Sequence, residues 1–208
     1  MASELIVQTL KGPTSGANAN KVIIPSGQTL DASSATVTVT PTAGQVVQVK
    51  ENAIGTFFTL SAADVWLNPH SSVYVNITPQ YADSVIIVEY EVPINPTGGA
   101  NIVMTMQPTR STDGGSTYNL TSDIGTGLGS RQQLTASWFR SNNGYDANDM
   151  QTHKFSAHDQ PNTTNAVRYS FWFRQETSQN VLFNHTNNDN SVWGWTARTR
   201  IKATEIKQ

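Results

Sequence analysis

The sequence predicts an all-β protein: an antiparallel β-sandwich of jelly-roll-like type, preceded by a short strand-rich arm. Three observations lead to this prediction. Polar and apolar residues alternate through almost every apolar segment, as they do in half-buried strands. These segments are four to nine residues long and end in Gly, Pro, Asn, Asp or Ser, which favour turns. No segment has a convincing helical period, and strands that follow one another without helices between them form antiparallel sheets.

The alternation assigns one buried face to each of the longer strands. The predicted core faces carry Val73, Val75 and Ile77; then Ile86, Val88, Tyr90 and Val92; then Ile102, Met104 and Met106; and then Leu134, Ala136 and Trp138. The best helical candidate, residues 61–66, offers Ser61 as a cap and amounts to one turn at most.

Two regions differ in the length of their strands. Residues 1–50 hold short strands separated by Gly, Pro and Ser, which bury little on their own. We therefore predict an N-terminal arm or small β attachment region there, one that needs a partner chain. Residues 51–208 hold about eight longer strands, enough for one sandwich domain.

Composition narrows the classes of partner. Charged residues make up only 13% of the chain, the net charge is −2, and the basic residues are scattered, which argues against nucleic-acid binding. The absence of cysteine removes disulfides and thiolate metal sites. The sequence begins without a signal-peptide pattern and has no run of membrane-spanning length, so we expect synthesis in a cytoplasm without export or membrane insertion.

Residue types that carry catalysis or bind metals are present but not in recognisable patterns. His153 and His158 would point to opposite faces of one strand, so they cannot share a metal ion. Asp146 and Asp149 lie in one loop but lack the calcium-loop spacing, which favours a solvated loop. We expect a non-enzymatic protein with no catalytic residues, no metal and no cofactor.

Aromatic residues in polar surroundings are the candidates for ligand binding. Tyr145 lies in a polar loop, and Trp193 and Trp195 follow an Asn/Asp-rich turn. Aromatic rings beside amide side chains bind sugars by stacking and hydrogen bonding, so these three residues predict a glycan or receptor site. Packing in a β core or between subunits is the alternative role for each.

The segment 161–174, PNTTNAVRYSFWFR, predicts both a core strand and a subunit contact. Its core face carries Val167, Tyr169, Phe171 and Phe173. The opposite face carries Arg168, Trp172 and Arg174. Because Trp and Arg are enriched where subunits meet, these three residues predict a subunit interface.

Four stretches in order carry a family resemblance: MASELIVQTLKGPTSGAN with KVIIPSGQTLD, VYVNITPQYADSVIIVEYEV, AHDQPNTTNAVRYSFWFR, and the closing FNHTNNDNSVWGWTARTRIKATEIKQ. Together they resemble virion structural proteins of tailed phages, particularly marine and cyanobacterial phages. The resemblance implies a fibre-, spike- or decoration-type protein, a homotrimer with a jelly-roll-like C-terminal domain, and no catalytic site. Residues 52–71 depart from the pattern, which leaves their role open.

Three functions follow as expectations. The first is a phage tail-fibre or spike protein, assembled in the host cytoplasm and located in the virion. It would attach to other virion proteins through its arm and to a host-surface glycan or protein through its sandwich. The second is a capsid decoration protein on the head, which the sequence does not distinguish from the first. The third, of another class, is a carbohydrate-binding module.

Overall fold

The computed structural model describes these parts of the chain: residues 11, 13–17, 22–24, 26–29, 40–97, 101–122, 136–140 (backbone only), 148–192 and 194–208. The chain divides into two units, Met1–Thr40 and Pro41–Gln208. Strand β1 begins at residue 46, so the last residues of the predicted arm lie in the second unit. In the first unit, the aliphatic side chains of Val22, Ile23 and Ile24 are each about half exposed.

The second unit is a β-sandwich, as the sequence predicts, and its described residues include no helix. The first sheet, sheet A, contains β1 (Val46–Ile54), β2 (Phe58–Leu60), β4 (Val85–Pro96), β8 (Gln151–Asp159), β10 (Val181–Phe183) and β11 (Thr199–Ile206). The second, sheet B, contains β3 (Val75–Ile77), β5 (Ile102–Ser111), β6 (Asn119–Leu120), β7 (Ala136–Arg140) and β9 (Val167–Gln175).

All pairings between these strands are antiparallel. In sheet A, β4 is the central strand and pairs with β8 along one edge. Its other edge pairs first with β11 and then, from Ile94 to Pro96, with β10. β1 lies outside β11, and β2 lies outside β10. In sheet B, β9 lies between β3 and β5.

The core lies between the two sheets and uses the faces that the alternation predicts. Ile86, Val88, Tyr90, Val92 and Ile94 of β4 are buried, and so are the predicted core residues of β3 and β5. The prediction for β9 is also confirmed. Its predicted core residues have no exposed surface: Val167, Tyr169, Phe171 and Phe173. Burial of each phenylalanine side chain contributes about 1.5–3 kcal/mol to the free energy of folding. The predicted core residues Leu134, Ala136 and Trp138 lie outside the described side chains.

Two buried carboxylates are satisfied by hydrogen bonds within the sandwich. Arg110 Nη1 donates to both carboxylate oxygens of Asp159, each at 2.9 Å. Ser122 and the Tyr169 hydroxyl also donate hydrogen bonds to this carboxylate. Burial is the main cause that raises the pKa of Tyr169, so it remains a donor. Glu205 accepts from backbone and side-chain donors, among them Ser84 Oγ at 2.8 Å. Both carboxylates are therefore structural.

Candidate ligand-binding site

The candidate site is the connection between β10 and β11, residues 184–198, which we call the Trp195 loop. It begins at Asn184, whose φ of 69° is in the left-handed region that Asn tolerates. The buried amide of Asn184 donates to the carbonyl oxygens of Ile54 and Thr56 at 3.1 and 2.8 Å. Its Oδ1 accepts from the hydroxyl of Thr199 at 2.9 Å. One side chain therefore joins the start of the loop to β1 and to β11.

The two arms of the Trp195 loop are paired with each other. The N–H of Thr186 donates to the carbonyl of Trp195 at 3.0 Å, and the N–H of Trp195 donates to the Thr186 hydroxyl at 2.9 Å. His185 and Thr196 form an antiparallel bridge next to them. The backbone that carries Trp195 is thus fixed, while 60% of the Trp195 residue surface is exposed to solvent.

The tip of the loop is a close turn that requires glycine at position 194. The N–H of Gly194 donates to the carbonyl of Asn190 at 2.9 Å, and the Asn190 side chain accepts from Val192 N–H at 3.0 Å. A Cβ at position 194 would collide with the carbonyl oxygen of Asn190 and lie 2.8 Å from its nitrogen. Asn188 also donates through its N–H to Asn148 Oδ1 at 3.3 Å. The described residues of the turn therefore carry amide side chains next to a backbone hydrogen bond between Asn190 and Gly194.

A second exposed aromatic residue, Phe57, lies on the connection between β1 and β2. Its ring is 5.0 Å from the ring of His185, centroid to centroid, and 53% of its surface is exposed. His185 Nδ1 is 2.9 Å from the carbonyl of Thr186. Because Asn184 hydrogen-bonds to the same connection through Thr56, Phe57 and the Trp195 loop belong to one end of the sandwich.

Of the three predicted ligand-binding residues, Trp195 lies at this exposed end. Tyr145 and Trp193 lie outside the described residues, so their part in a common site stays a prediction. Phe57, Asn184 and Gly194 also belong to this end of the sandwich, and no motif in the sequence singles them out. The signal for Gly194 is its position between two tryptophans, where a small residue allows the close turn.

The three predicted interface residues share the outer face of sheet B, as the alternation predicts, but two of them have partners within the chain. The guanidinium of Arg168 lies over the Tyr74 ring at 3.8 Å, and its Nε donates to Asn76 Oδ1 at 3.2 Å. Arg174 forms an ion pair with Asp64 at 2.7 Å. Trp172 is half-buried and lies opposite Gln107 in the register. Their role in a subunit interface stays a prediction.

The histidine pair of β8 takes opposite faces, as predicted. His153 lies in the core face opposite Val92, and burial lowers its pKa to about 4. His158 lies opposite Ile87 and is exposed. Within the described residues, no group of three His, Asp or Glu side chains is placed to hold a metal ion. Asp149 is exposed, and Asp146 lies outside the described residues.

Comparisons with known proteins assign no family to the chain. No family model matches the chain. No curated protein matches it either. Among solved structures, the chain is similar to the CBM22-1 xylan-binding domain of Paenibacillus barcinonensis Xyn10C, with 9% identity and a TM-score of 0.29. The match covers 81% of this chain and 99% of that domain. No helix in the described parts is long and apolar enough to cross a membrane.

Proposed function

We propose that the protein is a non-enzymatic carbohydrate-binding module, and that Trp195 stacks on a sugar ring at the exposed end of the sandwich. The observation that carries the proposal is the exposed indole of Trp195 on a loop that its own hydrogen bonds hold in place. An indole combines a flat apolar face, which can stack on a sugar ring, with one polar N–H donor. A loop ordered before binding loses little conformational entropy when a ligand arrives.

The polar residues around the indole supply the second half of sugar recognition. The turn contains the amide side chains of Asn187, Asn188 and Asn190, each with donors and an acceptor, so it matches the hydroxyl groups of a sugar. Gly194 keeps this turn next to Trp195 through its hydrogen bond to Asn190. The loop therefore offers a stacking platform together with amide side chains, of which that of Asn190 is held by the Val192 N–H.

A glycan array with the full chain tests this proposal. Trp195→Ala should reduce binding to the selected glycans by at least tenfold, whereas Trp195→Phe should retain part of it. Val192→Ala is the matched control, since Val192 is an exposed apolar residue of the same loop but has no ring. Equal binding by the wild type and by Trp195→Ala would contradict the proposal.

A second function, assembly into a phage virion as a homotrimeric fibre, spike or decoration protein, is favoured by a different observation. Three consecutive aliphatic residues, Val22, Ile23 and Ile24, are exposed in the first unit. Apolar residues exposed in succession favour burial against another chain. This function is compatible with sugar binding, because a virion protein that recognises a host glycan does both.

The oligomeric state tests this second function. Sedimentation velocity of the full chain should give a trimer, and Ile24→Asp should shift it towards monomer. Phe57→Asp places the same charge at an exposed apolar position of the second unit and serves as the control. A monomeric wild type at all concentrations would refute trimer assembly. Copy number per particle then distinguishes fibres, at tens, from decoration proteins, at hundreds.

A further inference from the structure

The outer face of sheet A contains a hollow of about 640 Å³ that includes no residue of the Trp195 loop. It crosses β1, β11, β4 and β8. Tyr90 and Phe155 contribute to its lining, while their rings stack on each other at 4.6 Å and pack with the core on the opposite face of the sheet. Six charged side chains line it: Glu51, Glu89, Glu91, Lys154, Arg200 and Lys202. We call this feature the charged hollow.

The strand register arranges these six side chains in two rows across the sheet. In the first row, Lys202 lies opposite Glu51 on one side and Glu89 on the other. In the second row, Glu91 of β4 lies opposite Arg200 of β11 and Lys154 of β8. Acid and base therefore alternate from strand to strand in both rows. Neighbouring strands are about 4.8 Å apart, so the alternation repeats on that scale.

Ion pairs hold the rows in place. Lys154 pairs with Glu91 at 2.8 Å. Arg200 pairs with Glu51 at 2.9 Å and lies 3.9 Å from Glu91. Lys202 pairs with Glu89, and this hydrogen bond is the main cause that raises the pKa of Lys202. Exposed pairs add little to stability. Their main effect here is to fix where the donors and acceptors lie.

The charges of the hollow sum to zero, which selects the class of ligand. Three of the 13 basic residues and three of the 15 acidic residues of the chain lie in it. A polyanion would need an excess of Lys and Arg, and a polycation an excess of carboxylates. A neutral ligand meets neither repulsion nor net attraction. Its affinity has to come from hydrogen bonds.

A chain of hydroxyl groups matches the hydrogen-bonding pattern of the rows. Carboxylates only accept hydrogen bonds, ammonium and guanidinium groups only donate them, and a hydroxyl does both. An extended polyhydroxylated chain that crosses the strands would meet acceptor and donor in turn. We propose that the charged hollow binds a neutral polysaccharide chain lying across β1, β11, β4 and β8. This second site is separate from the Trp195 loop and depends on different residues.

Affinity electrophoresis of the full chain tests the proposal. The gels contain soluble β-glucan, galactomannan or arabinoxylan as neutral probes, and alginate as the anionic comparison. The wild type should be retarded by at least one neutral polysaccharide and not by alginate. The double variant Glu89→Lys with Lys202→Glu keeps the pair between these two positions and the net charge but exchanges donor and acceptor, and it places a second carboxylate opposite Glu51. It should lose at least fivefold in affinity, and its melting temperature is measured alongside because two carboxylates then face each other across β1 and β11.

The outcomes separate the charged hollow from the Trp195 loop. A fivefold loss in the double variant, with or without a further loss in Trp195→Ala, supports the hollow. Unchanged retardation of the double variant overturns polysaccharide binding at the charged hollow. If Trp195→Ala alone then loses retardation, the proposed function at the Trp195 loop still stands. Stronger retardation by alginate than by every neutral probe also overturns binding at the charged hollow, and so does a wild type that none of the probes retards. If the double variant melts at a lower temperature, Glu91→Gln is tested instead, since it replaces a carboxylate that only accepts by an amide of similar shape. Unchanged retardation of that variant overturns the proposed site.

Discussion

Acid should destabilise the sandwich through His153, and a variant of this one residue isolates the effect. The imidazole of His153 lies in the core face of β8, with about 9% of the residue exposed. Burial lowers its pKa to about 4 from an ordinary value of 6.5. The folded protein therefore keeps His153 neutral at pH values where the unfolded chain has already taken up a proton.

The direction and size of the effect follow from proton linkage. Above pH 6.5 the ring is neutral in both states, and the contribution of His153 to stability is fully present. As the pH falls from 6.5 to about 4, the unfolded state alone gains a proton, so this contribution is lost. The full difference corresponds to about 3 kcal/mol. Because the ring lies at the margin of the core, screening by solvent reduces this to about 1.5 kcal/mol.

Urea unfolding followed by tryptophan fluorescence measures the effect, since all five tryptophans lie in the second unit. Carboxylates also titrate in this range, so the useful quantity is the difference between wild type and His153→Gln at pH 7.5 and at pH 4.5. The wild type should lose about 1.5 kcal/mol more than the variant over that interval. His158→Gln, on the exposed face of the same strand, should follow the wild type. Equal losses in wild type and His153→Gln would refute the reasoning.

Three further predictions concern the loop, the buried carboxylate and the outer face of sheet B. Gly194→Ala should destabilise the turn by about 1–3 kcal/mol, because the added Cβ clashes with the backbone of Asn190. We expect lost glycan binding and greater quenching of tryptophan fluorescence by iodide. Unchanged quenching would count against this prediction. Asp159→Ala should cost about 3–5 kcal/mol in urea unfolding, because Arg110 then loses its charged partner, whereas Tyr169→Phe should cost only about 1 kcal/mol. Trp172→Ala should lower the temperature at which the oligomer dissociates, measured by light scattering on heating, and an oligomer of unchanged heat stability would rule out a subunit contact there.

The strands and their buried faces were predictable because they depend on local alternation. A period of two sorts Ile86, Val88, Tyr90 and Val92 from Glu89 and Glu91 without any knowledge of the partner strands. The order of strands in each sheet was not predictable. It depends on pairings between residues distant in the sequence, such as Ile54 with Thr199, and no local pattern specifies them.

The candidate site was predictable only where the residue type itself carries the signal. Trp195 stands out as a large ring after a polar turn, whereas Asn184 looks like any turn residue until its contacts to Ile54 and Thr56 are seen. The charged hollow was hidden for the same reason. Its rows combine residues from four strands, and only the register brings Glu51 next to Lys202. Side-chain chemistry is readable in one sequence, but its assembly across strands is not.

The position of β11 between β1 and β4 has a consequence for synthesis of the protein. β1 is synthesised early and β11 about 150 residues later. Sheet A therefore lacks β11, the strand that joins β1 to β4, until residues 199–206 have left the ribosome. Until then, β1 and one edge of β4 present unpaired backbone groups to neighbouring nascent chains. A polysome that makes this protein therefore carries many open sheet edges at once, and mispairing between chains competes with the arrival of the last strand.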